Sequence, residues 1–228
     1  MGQYEITTIE VEKNITSLVQ ELKKIQNTPQ LKKKTNKKFE GWIQQLEKIL
    51  NQISDIKDKI LPTIKEDLGY PFSNIDHIII AMMRPSIKKP FEEIREHFSK
   101  GTDFAISLDT LGILENSPEV AKTLAWIGDS AIKYAIFLDI YQPGMSTEEL
   151  HNKRKSYEED KNLAKLCGSW NLFDYMIDLN PPDQKAKTVK KIKGTLTEAI
   201  FGVIFIEKDI AEVQKALHLI KKSDQENP

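Results

Sequence analysis

The segment LAWIGDSAIKYAI, residues 124–136, places one carboxylate, Asp129, in the middle of an apolar helical pattern. A second segment, LTEAIFGVIFI at residues 196–206, does the same with Glu198. A carboxylate in apolar surroundings is costly unless it is partnered, protonated or bound to a metal. These two segments therefore predict a helical core and a site that contains both acids.

Small residues surround both acids. They are Ala125, Gly128, Ser130 and Ala131 in the first segment and Gly194, Thr195, Ala199 and Gly202 in the second. Small residues let two helix backbones approach closely, which would bring the carboxylates within the roughly 4–5 Å that one ion bridges. Such oxygen ligands suit hydrated Mg²⁺ or Mn²⁺, and these ions promote phosphodiester hydrolysis. The alternative is that each acid pairs with a nearby lysine or caps a helix.

The composition describes an ordinary globular chain. Of 228 residues, 39% are hydrophobic and 29% charged, and the net charge of −1 means that any nucleic-acid surface must be a local patch. Cys167, the single cysteine, excludes an internal disulfide and fits a reducing compartment. The start has no signal-peptide pattern, and no apolar run is long enough to cross a bilayer. We therefore expect a soluble cytoplasmic protein with no membrane association.

Helical periodicity runs through nearly the whole sequence, so we predict an all-α fold. The pattern of residues 1–66 predicts a helical hairpin. Its two helices are separated by a break at residues 27–29, and Pro62 is expected to close the hairpin. Its second helix carries a heptad seam, formed by Phe39, Trp42, Leu46, Ile49, Ile53, Ile56 and Ile60. The seam either packs on its own chain or pairs with another molecule, because short heptad runs serve both purposes.

Residues 67–222 predict a second unit, with a less regular insertion near 90–115. We expect Ser73 to cap a short helix and Ser117 to begin a long one that ends near Tyr141. Residues 146–149 form a capping box that opens the next helix. Further helices are predicted around residues 163–166, from about 184 to 207, and from Ile210 to about Lys221.

Four segments of this unit resemble the ribonuclease III family in the family's own order. Residues 124–141 resemble its signature helix, and LGYPFSNIDHIIIAMMRPS at residues 68–86 is similar to its opening motif. Residues 146–172 resemble its third and fourth helices, and KIKGTLTEAIFGVIFIEKDI at residues 191–210 resembles its closing motif. The resemblance covers about residues 66–220 and implies a ribonuclease III-like helical endonuclease domain.

The resemblance also implies a site and a reaction. Asp129 and Glu198 match two of the family's four acids and would hold Mg²⁺ or Mn²⁺, whereas Ala125 and Thr195 stand where the other two are usual. A similar two-acid pattern occurs in the Mini-III branch, which has no double-stranded-RNA-binding domain. The implied function is a metal-dependent endoribonuclease that acts as a homodimer on double-stranded or structured RNA. Glu159 or Asp160 is a candidate for an outer-shell oxygen.

Lysines near the acids are candidates for RNA contact, because duplex RNA is recognised through its shape and phosphates. The candidate RNA-binding residues are Lys153, Arg154, Lys185, Lys187, Lys190, Lys191 and Lys193. A further group of lysines lies in the hairpin, between residues 32 and 38. The alternative is that these lysines form only solvated helix faces.

Two other functions compete with the nuclease. The first is a catalytically inactive ribonuclease III-fold subunit that binds RNA or serves assembly, which Ala125 and Thr195 favour. The second is a helical scaffold whose heptad seam binds a protein partner. Metal-dependent cutting separates the nuclease from both, and salt-sensitive RNA binding separates the two alternatives from each other.

Overall fold

The computed structural model of the protein describes residues 10–28, 33–99, 104–157, 160–180 and 185–222, without the side chains of residues 156, 157, 160, 161, 221 and 222. The α-helices in these ranges are α1 Val11–Gln26, α2 Lys33–Asp55, α3 Leu61–Leu68, α4 Ile75–Ala81, α5 Lys88–Phe98, α6 Leu108–Ile140, α7 Thr147–Tyr157, α8 Asp160–Ser169, α9 Ala186–Glu207 and α10 Ile210–Lys222. The described residues contain no strand, and the one extended contact recorded among them is an isolated bridge between Met83 and Ile177. The predicted all-α class is confirmed.

Helices α1 and α2 pack as the predicted hairpin, and the heptad seam faces its own chain. Every seam residue from Phe39 to Ile60 is at most 2% exposed. Trp42 donates from Nε1 to Glu93 of α5 at 2.8 Å, and Gln52 donates to the Asp178 carbonyl at 3.1 Å. Of the two interpretations of the seam, packing within the chain is therefore the one observed.

The prediction that Pro62 closes this hairpin is wrong. A π-helical turn, Ile56–Ile60, joins α2 directly to α3, and the helical path runs on to Leu68. Pro62 lies in the first turn of α3, where a missing backbone N–H costs little. Gly69, with φ of +73°, ends the path in the left-handed conformation. The division between residues 66 and 67 therefore falls within a continuous helix, and the two-domain organisation remains a prediction.

The long helix α6 begins earlier than Ser117, so that predicted start is also wrong. Ser107 is the N-cap, and its hydroxyl accepts a hydrogen bond from the Thr110 N–H at 3.0 Å. Ser117 lies inside the helix, fully buried, and donates to the Ile113 carbonyl at 3.1 Å. Pro118 is accommodated within α6. The region near 90–115 thus holds α5 and the first turns of α6.

The other predicted helices are present with small shifts. Asn74, not Ser73, caps α4, since its side chain accepts from the Asp76 N–H at 2.9 Å. Ser146 and Glu149 form the predicted capping box before α7. The predicted loop at residues 181–183 lies outside the described residues. No helix in the described ranges is long and apolar enough to span a membrane.

Candidate active site

Helices α6 and α9 cross in backbone contact at two glycines. A Cβ atom built on Gly128 would lie 1.8 Å from the Glu198 carbonyl oxygen, and one built on Gly202 would lie 2.1 Å from the Leu124 carbonyl oxygen. Real Cβ atoms essentially never approach backbone so closely, so only glycine fits at either position. The predicted close approach of these two helices is confirmed. Asp129 follows Gly128 directly, so the two acids lie at the same helix crossing.

Asp129 is less embedded than its apolar neighbours suggest. Its side chain is 35% exposed, and its carboxylate pairs with the Lys133 ammonium at 2.7 Å, one turn further along α6. This pairing is the alternative that the sequence left open. An i,i+4 pair at a helix surface contributes only about 0.3–0.5 kcal/mol. Lys133 therefore holds Asp129 weakly enough for a divalent ion to compete.

Glu198 lies half-buried on α9 and has an interaction partner within the chain. Among the described residues, no group of three or more His, Cys, Asp and Glu side chains is placed to hold a metal. Mg²⁺ is commonly bound by one or two carboxylates, with water and substrate phosphate completing its octahedron. Two hard carboxylates at one helix crossing fit that mode. The side chains of Glu159 and Asp160 lie outside the described ones.

Thr195 and Ala125 contribute no charge to this crossing. Ala125 is 5% exposed and packs in the core. The Thr195 hydroxyl donates to the Lys191 carbonyl at 3.0 Å, within its own helix. The neighbouring Thr197 is fully buried and donates to the Leu163 carbonyl of α8 at 3.0 Å, which ties α8 to α9. Asp129 and Glu198 are therefore the acids that the two motifs contribute to the segments that cross here.

The predicted basic residues lie on two helices. Lys185 precedes α9, while Lys187, Lys190 and Lys191 are exposed in its first half. Lys193 is partly buried, with its ammonium 5.5 Å from the Phe173 ring centre. Lys153 and Arg154 are exposed on α7, and both have interaction partners within the chain. In the hairpin group, Lys33 and Lys34 are exposed at the start of α2.

One charged cluster beside α9 was not predicted. Glu207, at the end of α9, accepts from the Ser73 N–H at 2.7 Å and the Asn74 N–H at 3.1 Å, and lies 3.0 Å from His77 Nδ1. Burial acts to raise the pKa of Glu207, but the hydrogen bonds from His77, Ser73 and Asn74 lower it overall. These partners are about 130 residues away in sequence, so no local pattern reveals the cluster.

Cys167 is not a candidate nucleophile. It is fully buried, and burial raises the pKa of its thiol to about 12. The thiol is therefore neutral at physiological pH, whereas nucleophilic cysteines react as thiolates. The chemistry of this part of the chain depends on its carboxylates and cations.

The region that contains this crossing is similar to a known domain family. Residues 122–209 match the Ribonuclease III domain family, and this range includes both Asp129 and Glu198. The chain is thus all-α in its described residues, with two acids at a helix crossing inside the matched region. More specifically, the family that residues 122–209 resemble is the Ribonuclease III domain family.

Similar proteins carry the same family name. Ribonuclease 3 of Francisella tularensis subsp. holarctica (strain FTNF002-00 / FTA) is 24% identical over 117 residues, and that of subsp. tularensis (strain FSC 198) is 25% identical over 117 residues. Each alignment covers 50% of this chain and 50% of the relative, so the matched region spans about half the length of these relatives. A solved nuclease domain of ribonuclease III from Campylobacter jejuni has a TM-score of 0.47 and 20% identity, and the match covers 71% of this chain and 96% of that one.

Proposed function

We propose that the protein is a metal-dependent endoribonuclease that hydrolyses phosphodiester bonds in double-stranded or structured RNA. The observation that supports the proposal is the glycine-mediated crossing of α6 and α9, the two helices that carry Asp129 and Glu198, within the region that matches the Ribonuclease III domain family. The names of the related proteins agree with a ribonuclease.

In this proposal Asp129 and Glu198 hold a divalent cation, Mg²⁺ or Mn²⁺. When bound, such an ion neutralises charge on a phosphodiester and lowers the pKa of water. The chain's own contribution is position, because the backbone contact at Gly128 and Gly202 fixes the two helices before any ligand arrives. Lys133 balances the Asp129 charge in the free protein, and their exposed ion pair is weak enough that Asp129 would be available to hold a cation.

The RNA surface in this proposal is the basic first half of α9 together with α7. The exposed ammonium groups of Lys187, Lys190 and Lys191 lie on the helix that carries Glu198. Lysines bind phosphates without reading sequence, so binding should weaken steeply with salt. A local basic surface explains how a chain of net charge −1 would bind RNA.

We also propose that the protein forms a homodimer through an apolar stripe on α6. Trp126 is 73% exposed, Tyr134 55%, Phe137 42% and Tyr141 51%. These residues follow helical spacing along one side of α6, and large exposed aromatic side chains in one row mark an association surface. Two copies would present two sites to one RNA duplex.

The first experiment is cleavage of a labelled RNA duplex in Mg²⁺ by the native protein and by Glu198→Gln. We expect the native protein to cut and the variant to lose about 100-fold or more in rate, because several kcal/mol of charge stabilisation disappear. Glu40→Gln, an exposed carboxylate on α2, is the matched control and should cut normally. Equal rates for native protein and Glu198→Gln would contradict the assignment.

Metal binding is measured separately by thermal unfolding with Mn²⁺. The ion should raise the melting temperature of the native protein, because a ligand that binds only the folded state stabilises it. Asp129→Asn should abolish this shift. If Mn²⁺ leaves the melting temperature of the native protein unchanged, Asp129 takes part only in its ion pair with Lys133.

A second candidate is a catalytically inactive subunit that binds RNA through the same fold. The Asp129–Lys133 ion pair and the uncharged Ala125 and Thr195 favour it. In the same assay this subunit would bind the duplex in a salt-sensitive manner and leave it uncut in either metal.

A further inference from the structure

A cleft of about 430 Å³ opens between the first halves of α6 and α9, against the segment that follows α4. Its polar lining residues are Arg84, Lys122, Thr188, Lys191 and Thr195. The other described residues that line it are apolar, and none of the lining residues is Asp or Glu. Three cations and two hydroxyl groups around an apolar floor make a cavity suited to an anion.

Arg84 is the most constrained of these cations. Its backbone N–H donates to the Ile177 carbonyl at 2.9 Å, which pins the residue at the cleft wall. Its side chain is half-buried, and the charge recorded as acting on its guanidinium is that of Asp178. Burial lowers the pKa of Arg84, while the charge of Asp178 acts in the opposite direction. A partly desolvated cation is stabilised when a further anion binds beside it.

The two lysines are available at the mouth of the cleft. Lys191 is exposed, and no described carboxylate is recorded as its ion-pair partner. Lys122 pairs with Glu119 at 2.7 Å, but both side chains are more than half exposed, at 56% and 53%. Such an exposed pair is weak and exchanges readily with a phosphate. An incoming anion would therefore meet one half-buried guanidinium on a held backbone and two exposed ammonium groups.

The cleft lies next to the two acids. Thr195 precedes Glu198 by three residues on α9, and Ala121 precedes Asp129 by eight on α6. Residues at these helical spacings share a face. The cleft therefore continues along the faces that carry the two acids, about one helical turn (roughly 5 Å) from Glu198 on α9 and about two turns (roughly 12 Å) from Asp129 on α6.

We propose that this cleft binds a phosphate group of the RNA backbone next to the phosphodiester that is cut. The inference rests on the proposed function, since it assigns the cleft to the same RNA. Arg84 anchors the phosphate with paired N–H donors, and Lys122 and Lys191 neutralise its charge. The RNA strand is thereby held in register with Asp129 and Glu198.

The test measures affinity for a labelled RNA duplex in buffer with EDTA, where no cutting occurs, for native protein, Arg84→Gln and the control Lys89→Gln. Lys89 lies on α5, outside this cleft, with a side chain that is 79% exposed. We expect Arg84→Gln to bind about tenfold more weakly and its slope of log affinity against log salt to fall by about one. Lys89→Gln should match the native protein, and equal affinity for all three proteins would overturn the proposal.

Two further measurements separate RNA binding from binding of a free phosphate compound. Lys191→Gln should weaken RNA binding in the same direction, and because Lys191 is exposed this variant folds normally. Inorganic phosphate should compete with the duplex for the native protein. If phosphate stabilises the native protein but not Arg84→Gln, while RNA affinity is the same for both, the cleft takes a free phosphate compound and the RNA assignment is overturned.

The cleft proposal and the nuclease proposal can be overturned separately. Normal RNA binding by Arg84→Gln, alongside lost cutting by Glu198→Gln, would overturn the cleft and leave the metal pair. Weak binding by Arg84→Gln, alongside normal cutting by Glu198→Gln, would support the cleft and overturn the metal pair.

Discussion

At the scale of single residues, the glycines at the α6–α9 crossing have the most specific role. Gly202→Ala would place a Cβ atom 2.1 Å from the Leu124 carbonyl oxygen, a backbone atom that cannot swing aside. We expect the free energy of unfolding to fall by about 3 kcal/mol or more, as in severe overpacking. Urea unfolding followed by circular dichroism measures the loss.

Gly194→Ala is the matched control on the same helix. Nothing lies within 4 Å of a Cβ atom built there, so the substitution should stabilise the protein by about 0.5–1 kcal/mol through helix propensity. Similar destabilisation by both substitutions would show that the crossing is looser than described.

Residue patterns predicted part of the candidate site and missed the rest. The acids and the small residues were visible in sequence, because helical spacing alone indicates which of them share a face. The ion pair of Asp129 with Lys133 was also readable at i,i+4. The place of Arg84 in the cleft could not be predicted from the sequence. Its backbone partner Ile177 and its neighbour in the cleft lining, Lys191, are both distant from it in sequence.

At the scale of elements, Glu207 connects the end of α9 to the start of α4. Its side chain is 2% exposed, and its lowered pKa means that the folded state favours the ionised form. This stabilisation is complete above the ordinary glutamate pKa of about 4.3 and is lost as pH falls through the lower folded value. Glu207→Gln should cost about 2 kcal/mol at pH 7.

The pH dependence is measured by urea unfolding of native protein and Glu207→Gln between pH 7 and 3. The difference between the two should shrink as pH falls below the glutamate range. Glu47→Gln, which removes a 44% exposed carboxylate, should change stability little at any pH. A pH-independent difference for Glu207→Gln would contradict the role of its charge.

Helix type was readable from sequence, whereas helix ends at proline were not. The seam of α2 and the capping box of α7 combine periodicity with side-chain chemistry, and both were confirmed. In the sequence, Pro62 and Pro118 look like helix breaks. In the structure, Pro62 lies in the first turn of α3, which follows the π turn directly, and Pro118 lies inside α6. Burial of the surrounding apolar face outweighs the cost of a single proline.

At the scale of the whole molecule, the apolar stripe of α6 predicts self-association. Trp126→Glu should convert a dimer to monomers, because losing the most exposed aromatic side chain of the stripe, as an interface hot spot, costs about 2 kcal/mol or more, a factor of about 30 in affinity. Ile113→Glu, which is 38% exposed on a different side of α6, should leave the dimer intact. Analytical ultracentrifugation measures both, and a native protein that is monomeric at all concentrations would contradict the proposal.

The arrangement of the whole chain was only partly predictable. The ribonuclease III resemblance was confirmed over residues 122–209, while the closer likeness to the Mini-III branch remains a prediction. The docking of the hairpin depends on contacts such as Gln52 with Asp178, which join segments 126 residues apart. Long-range contacts of this kind follow from packing in three dimensions and leave no periodic signal along the sequence.

Gly128 and Asp129 are adjacent in sequence, but different requirements constrain them. The helix crossing requires the glycine in any descendant that keeps this fold, since a Cβ atom there would meet the Glu198 backbone. Under the proposed function, the acid is required only while the domain cuts RNA. In a lineage released from selection for catalysis, Asp129 would drift while Gly128 stayed fixed. Related genes that keep the glycine and have replaced the acid would therefore mark, without any assay, the branches on which nuclease activity ended.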